Sequence, residues 1–431
     1  MIINSDEVGF ASYCRYHKTS TFYDKNVYLL SVKNTPGVTL AETMLENYDV
    51  EQYIPQDILK SIRNKELILA IDMPYEALYS IIDRVYNSLI IRQQLPSSQI
   101  LFIGSSKQLA EYNKEKAQQL QIEPIHYEFF SYWEKEESYR YKNNTNIEFP
   151  NTCKFTKKQK KFLCLNRQWR YHRLALLCLL YEKNLVDQSY YSFLNPYNLS
   201  RKDKAYGNIT DEGMRKIYES TGVEFHPTLK IAKMQTVVAG HVYANTCPNN
   251  TLDDVWDITF KETLDNYPNI KDNLNKGYNV YKKLPLNLDD TSINLRHDKK
   301  DTLFAHAHTN NILLYPYYKN SLFSVVTNTH FDSKYPIWLE EKIFKPIFFK
   351  HPFILVGTYK NLEFLKSLGY KTFSNVIDET YDDIVNDGER LLYISNEIER
   401  LCNMNESQTN EFLQECHDIV EYNYKHFIEQ N

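Results

Sequence analysis

Short, unbroken apolar runs, each followed by a helix-like stripe, constrain this chain more than any other feature. Glu66 to Asp72 (ELILAID) is apolar until its closing acid. After Met73-Pro74, the residues Leu78, Ile81, Ile82, Val85 and Leu89 recur at helical spacing. Gln99 to Ile103 (QILFI) repeats the pattern. Gly104-Ser105-Ser106 closes it, a helix through Leu109, Tyr112, Ala117 and Leu120 follows, and a further strand runs from Ile125 to Phe129. A strand with one wet face alternates in polarity, whereas a continuous run is buried on both faces. The spacing therefore predicts a parallel sheet covered on both sides, with Val27 to Val32 as an earlier strand of it.

The pattern breaks and then resumes. Between about Glu134 and Lys161 the chain is charged and poor in aliphatics, which reads as an interdomain linker. Phe162 to Leu165 then reads as a strand and Trp169 to Tyr181 as a helix. Further on come a strand at Ser321 to Thr327, a helix at Glu340 to Phe349 and a strand at Pro352 to Val356. Thr358 is placed to cap a helix from Tyr359 to Leu368 that Gly369 ends. A short strand at Tyr370 to Phe373 and two helices, from about Thr380 to Cys402 and from Thr409 to Phe427, complete the reading. A chain of 431 residues exceeds one ordinary core. The expected division is 1–150, 151–405 and a C-terminal helix at 406–431 that packs back on the first unit. Two such α/β units face one another across a cleft at the carboxyl ends of their strands, where ligands of these folds bind.

Charge and composition narrow the chemistry. The net charge of −5 supplies no global positive field to draw the chain to nucleic acid or anionic lipid. A local basic run from Lys154 through Lys157, Lys158, Lys160 and Lys161 either tracks a polyanion such as DNA or is a solvated hinge. The seven cysteines show no CxxC spacing, so neither a zinc site nor a disulfide framework is indicated, and a reducing compartment fits. The first residues lack the basic and apolar segments of a signal peptide. The most apolar run, Leu174 to Leu180, is far short of the about 20 residues that span a bilayer. A cytoplasmic protein with no membrane partner is expected. With 11 glycines and neither a P-loop nor a GxGxxG fingerprint, a nicotinamide enzyme is disfavoured. Asp253-Asp254 with Asp257, Asp289-Asp290 and Asp382-Asp383 only superficially form DxD metal motifs, and His306 and His308 lack a third ligand, so no metal site is expected.

Two segments carry residues suited to a nucleotide. In Asn166-Arg167-Gln-Trp-Arg170-Tyr-His172-Arg173 a buried strand ends at a helix start, where free N–H groups favour phosphate. Arg167, Arg170 and Arg173 are spaced three apart along one helix face, and guanidinium groups grip a diphosphate bidentately. The competing reading is a basic face paired with neighbouring acids. In Glu340-Glu341-Lys342-Ile-Phe344-Lys345-Pro346, a Glu-Lys pair at a helix start offers a carboxylate for ribose hydroxyls and an ammonium for phosphate. Taken alone, the same residues also describe an ordinary charged face. Pro346 fits most easily in a first turn, which implies a later helix start or a kink.

The order of FLCLNRQWRYHR, SLFSVVTNTHF, EEKIFKPIFFKHPFILVG and LKSLGYKTF resembles the donor-binding half of glycosyltransferase-like proteins common in phages and large viruses. The Glu-Lys-x-Phe core is similar to the α-1,3-fucosyltransferase signature, in which a Glu-Lys pair opens a helix contacting the donor nucleotide. The resemblance covers about 162–193 and 315–373. It implies two facing Rossmann-like domains (the GT-B fold) and a UDP- or GDP-linked sugar as co-substrate, with no separate cofactor. By the same analogy Glu341 meets the ribose, while Lys342, Lys345, Asn166 and the three arginines line the donor site. The chain departs from related patterns at two positions. Phe349 stands where many GT-B enzymes have a second Glu, and Asn328 stands where an acid is expected.

A transferase of this kind needs a base for the acceptor hydroxyl. Asp72 and Glu76, at the end of the ELILAID run, are the candidates, with Asp6 and Glu7 as rivals; capping and solvation are the alternative roles for the first pair. The acceptor implied by the phage-like resemblance is a hydroxymethylated base of viral DNA, or a glycan or protein of virus or host. A non-catalytic nucleotide- or glycan-binding protein is the opposing class. The oligomeric state is not legible.

Overall fold

The computed structural model describes residues 2–3, 26–31, 54–73, 77–144, 148–166, 170–193, 252–283, 286 and 314–429. The first sheet contains β1 (Ile2–Ile3), β2 (Val27–Ser31), β3 (Ile68–Met73), β4 (Ile100–Gly104) and β5 (His126–Phe129), all parallel and in simple sequential order. Between these strands lie α1 (Gln56–Arg63), α2 (Tyr79–Val85, prolonged by a π-helical turn over Tyr86–Arg92) and α3 (Lys107–Leu120).

That order has a consequence for the helices. Parallel crossovers are right-handed, so crossovers that always step the same way lay their helices on the same face. The cores agree: Leu69, Ile71, Met73 and Phe102 pack with Leu59 and Ile62 of α1, Ile81 and Val85 of α2 and Leu109 of α3. The other face gathers Val27, Leu29, Ile68, Ala70, Leu101 and Ile103 under Phe130 and Tyr132. Among the described residues, then, the crossover helices cover one face only, where the apolar runs predicted helices on both. Alternation along β3 groups Asp72 with Ile68 and Ala70, on the face away from α1–α3.

The charged stretch expected as a linker contains a helix, α4 (Tyr132–Asn144). Its buried positions include Glu134, Glu136, Glu137 and Ser138 beside Tyr132 and Tyr141, so no apolar stripe marks it in the sequence. Tyr141 stacks on Phe348 at 3.9 Å between ring centroids, and Ser138 Oγ donates to the Phe427 carbonyl at 2.6 Å.

The second sheet is built from β6 (Lys160–Leu165), α5 (Tyr171–Glu182), β7 (Ser189–Ser192), α6 (Leu252–Asn266), α7 (Lys271–Lys276), α8 (Tyr315–Asn320), β8 (Ser321–Thr327), α9 (Glu341–Phe348), β9 (Phe353–Val356), α10 (Asn361–Ser367), α11 (Asp387–Cys402) and α12 (Glu406–Glu429). Its strands are parallel in the order β7-β6-β8-β9. Helix α5 packs with α6, α7 and α11 on one face, and α9 packs with α12 and α4 on the other. The C-terminal helix therefore meets α4 and α9. From β6 the chain steps to one side for β7, then returns to the opposite side for β8. The direction of winding reverses between β6 and β8, and in open α/β sheets the ligand crevice opens at the carboxyl ends of such a pair.

Three local expectations change. Residues Tyr370 to Phe373 form no strand: Lys371 bonds the Asn423 amide through both its N–H and its carbonyl (2.9 and 2.8 Å), and Phe373 N–H goes to Glu379 at 2.7 Å. Helix α10 is capped by the distant Asp382 carboxylate, which accepts from Leu362 N and Glu363 N at 2.9 and 3.0 Å, in place of Thr358. Pro346 lies inside α9, and the helix starts at Glu341 with Glu340 as its N-cap residue.

The molecule is an α/β protein with two parallel sheets, consistent with two Rossmann-like units. None of its described helices is long and apolar enough to cross a membrane.

Candidate functional site

The two segments singled out in the sequence meet where β6 and β8 end. Asn166, one residue past β6, accepts a hydrogen bond on Oδ1 from Thr327 Oγ1 and directs Nδ2 toward Cys164 Sγ at 3.2 Å. Its own N–H reaches the Ser192 carbonyl at 3.1 Å, so one asparagine ties together the ends of β6, β7 and β8. Arg173, in the first turn of α5, donates to the carbonyls of Thr327 and Asn328 at 3.1 and 3.0 Å. Burial, with Arg170 close by, draws its guanidinium down to about 10 despite the opposing pull of Glu340. His172 Nε2 lies 2.9 Å from the Asn328 carbonyl, and its ring stacks on Phe331. A carbonyl only accepts, so Nε2 carries the proton. Burial and the neighbouring Arg173 hold the imidazole well below its ordinary value, and it is neutral.

The loop after β8 runs from this clamp to α9. Glu340 is 1% exposed, and its carboxylate takes the backbone N–H of Thr329, the Thr329 hydroxyl at 2.7 Å and the Lys342 ammonium. Burial alone would raise its pKa, but Lys342 and these donors outweigh burial and hold Glu340 at about 2. Lys342 also reaches Glu341 Oε1 at 3.0 Å. Burial opposes its charge, and the two carboxylates more than compensate, so its pKa is raised. Glu341 stays half-buried at the start of the helix, with Oε2 making no hydrogen bond among the described residues. Lys345 is one turn on, within electrostatic reach of Glu341 and of Glu137 on α4; burial lowers its pKa.

Arg170 and Asn328 each carry a buried polar atom with no hydrogen bond. Arg170 is the extended N-cap residue of α5; it is half-buried, and its Nε has no acceptor. Asn328 is 1% exposed, with Oδ1 lacking a donor. The Asn361 amide orients it. With nitrogen on the Trp338 carbonyl (3.2 Å) and oxygen facing Thr358 N (3.2 Å) and Asn328 Nδ2 (3.3 Å), Asn361 leaves Asn328 Oδ1 turned elsewhere. At the crevice stand a cation, a hydrogen-bond acceptor and the Glu341 carboxylate.

The expected residues thus separate by role. Asn166 and Arg173 are used inside the fold, and Arg170 precedes the helix, so the reading of three arginines along one helix face does not hold for the described pair. Glu341, Lys342 and Lys345 open α9 beside the clamp. Arg167, Glu76, Asp6, Glu7, Asp289, Asp290, His306 and His308 lie outside the described residues. Asp72 is fully buried at the end of β3, beside Ile103 in register. Among the acids read as possible DxD motifs, Asp257 accepts from Tyr278, Asp382 caps α10 and Asp383 pairs with Lys360. No group of three His, Cys, Asp or Glu able to hold a metal occurs among the described residues.

Sequence reasoning missed Arg390. It is 1% exposed and donates to the Phe331 carbonyl at 2.6 Å, the Ile384 carbonyl at 2.7 Å and Asp387 at 2.6 Å, while its guanidinium lies over the Phe331 ring. It pins the loop after β8 from the far side. An arginine in the first turn of a helix carries no sign of such a role; the Asp387–Arg390 spacing of three is the one local hint.

The same loop reaches the first sheet. Ile337 N–H donates to Gln108 Oε1 on α3 at 2.7 Å, and Trp338 is buried in the core that also holds α1–α3. Lys107 reaches Ser367 Oγ on α10 at 3.3 Å. Comparison with protein-family models, curated proteins and solved structures finds no match for this chain.

Proposed function

We propose that the chain is a glycosyltransferase of the GT-B type that moves a sugar from a UDP- or GDP-linked donor to a hydroxyl acceptor, with the donor held by the second sheet. One observation carries the reading. At the strand-order reversal between β6 and β8, Arg170, whose Nε has no acceptor, and a half-buried Glu-Lys pair (Glu341, Lys342) accompany a loop clamped by Arg173, His172 and Glu340.

Each part has a task in such a reaction. Glu341 accepts the ribose hydroxyl protons. Arg170, the α5 amides and Lys342 offset the charge that grows on the departing diphosphate. Asn328 Oδ1, an acceptor lacking a donor, suits a hydroxyl of the sugar. Asp72 is the base candidate on the first sheet. A hydroxymethylated base of phage DNA is the favoured acceptor, with a glycan or protein hydroxyl as the alternative, and the chemistry needs no metal.

The test is calorimetric binding of a panel of UDP- and GDP-sugars, followed by mass analysis of candidate acceptors that include hydroxymethylated DNA. Glu341→Ala and Arg170→Ala should each weaken donor binding about tenfold or more, the loss of one charge-assisted contact. Unchanged affinity in both removes this donor site. Binding without hydrolysis or transfer to any acceptor converts the reading to a binding protein.

A further inference from the structure

The first sheet carries a polar feature that the donor site does not use. At the carboxyl end of β4, Ser105 and Ser106 are 4% and 0% exposed, and the hydroxyl of each lacks a hydrogen-bond partner. Ser106 is the N-cap residue of α3, a helix of 14 residues, yet its side chain makes no capping bond and the first turn contains no acidic residue. The amides of a first turn have no partner within their own helix and carry its positive dipole end. Serine at this position ordinarily accepts one of them. Here Ser106 leaves the helix start uncapped, with two buried, donor-capable hydroxyls beside it.

The surroundings favour an anion there. The Ser106 carbonyl is already taken by Tyr127 Oη at 2.6 Å, and a β-carbon on Gly104 would collide with that same Oη, so glycine is required for Tyr127 to lie there. Asp72 belongs to the opposite face of the sheet. The Lys107 ammonium is drawn away toward Ser367 and the rings of Phe129 and Phe364. Gln108, in the same first turn, bonds Ile337, four residues before the Glu341 that opens α9. The first turn of α3 is therefore joined to the loop that leads into α9.

We propose that the amino end of α3, with the Ser105 and Ser106 hydroxyls, is a second anion subsite, distinct from the β6–β8 crevice, and that it takes a phosphoryl group borne by the acceptor. Only the word acceptor rests on the transferase reading; the anion subsite stands on the uncapped helix start and the two buried hydroxyls.

The test uses the full chain and inorganic phosphate, then a nucleoside 5′-monophosphate, with binding followed by calorimetry and by the rise in melting temperature. In Ser106→Asp the new carboxylate would cap α3 from within and repel phosphate. The expected result, read in an Arg170→Ala background that weakens phosphate binding at the β6–β8 crevice, is that adding Ser106→Asp lowers the melting temperature no further and weakens phosphate binding at least tenfold. Ser105→Ala should weaken binding in the same direction. Absence of phosphate binding in that background, or equal binding with and without Ser106→Asp, overturns the subsite. Transfer assays separate the two readings: Ser106→Asp should raise KM for a phosphorylated acceptor and leave KM for its dephosphorylated form unchanged. Equal KM changes for both forms would overturn the acceptor assignment. Phosphate binding that follows Ser106 in a chain that transfers no sugar would keep the anion subsite and remove the transferase.

Discussion

Neighbouring arginines of similar sequence context have opposite occupations at this crevice, and that difference is measurable. Arg173 satisfies two backbone carbonyls at the end of β8 from the first turn of α5, whereas Arg170 stands outside the helix as its N-cap residue. Arg173→Ala should therefore cost about 2–3 kcal/mol, because it strips charged hydrogen bonds from buried carbonyls. Arg170→Ala should stay within about 0.5 kcal/mol of the parent while, under the transferase reading, losing affinity for the proposed donor. Urea midpoints for the two variants decide this, and equal midpoints would refute the division of roles. The pH dependence follows from the same clamp. His172 is held well below 6.5, and His351, buried between Ser321 and Ser324, is at about 3. Below about pH 6.5 the unfolded chain binds protons that the folded chain refuses, so stability falls as pH drops. Glu340 adds to this with the same sign: its contribution is complete above the unfolded value of 4.5 and is lost as pH falls toward about 2. The urea midpoint should decline between pH 7 and 5, and less steeply in His172→Asn; a flat profile in the parent would mean the imidazoles protonate without cost. The sequence marked the Asn166–Arg173 and Glu340–Lys345 segments as chemically loaded. It could not say which side chains would be consumed internally, because that depends on where the carbonyls of β8 fall.

Elements were legible in proportion to how much of their stability is local or apolar. Ser321–Thr327 is apolar at most positions and buried at all seven, and its strand bounds match the sequence reading. Helix α4 was hidden because it buries glutamates, and the supposed strand at Tyr370 to Phe373 is held by side chains of Asn423 and Glu379 that no local pattern reveals. Helix α10 shows the same dependence on distance. Its cap arrives from Asp382, 20 residues from Leu362, while the N-cap residue Lys360 sits at φ 64 and offers no capping bond. Asp382→Ala should therefore destabilise the chain by about 1–2 kcal/mol, the usual worth of a cap, even though the residue lies outside the helix it stabilises. Thr358→Ala should cost less than Asp382→Ala. Thermal midpoints of the two variants test the order, and a larger effect at Thr358 would restore the local capping scheme.

Across the whole molecule, the two sheets are not merely tethered: one loop belongs to both. Thr327 to Lys342 begins in the clamp at β8, passes Ile337 to Gln108 and Trp338 to the first sheet's core, and ends in the Glu341–Lys342 pair. Displacement of the first sheet must therefore be felt within a few residues of the proposed donor contacts. Under the transferase reading this seam has a chemical purpose, because water that reaches an activated sugar hydrolyses it. Gln108→Leu removes the acceptor of the Ile337 N–H without touching the donor contacts or adding bulk. Loss of that hydrogen bond, with the longer one from Tyr79 Oη to the same oxygen (3.4 Å), should cost about 1–2 kcal/mol in stability. Its larger effect should be on partition: a greater fraction of donor consumed should appear as free sugar and less as glycosylated acceptor, with donor affinity unchanged. Counting both products from the same reaction measures the ratio directly. An unchanged ratio would mean that the seam holds the sheets together but does not guard the chemistry. A fall in donor affinity instead would place Gln108 in line with Glu341, transmitting the position of the first sheet to the ribose contact itself.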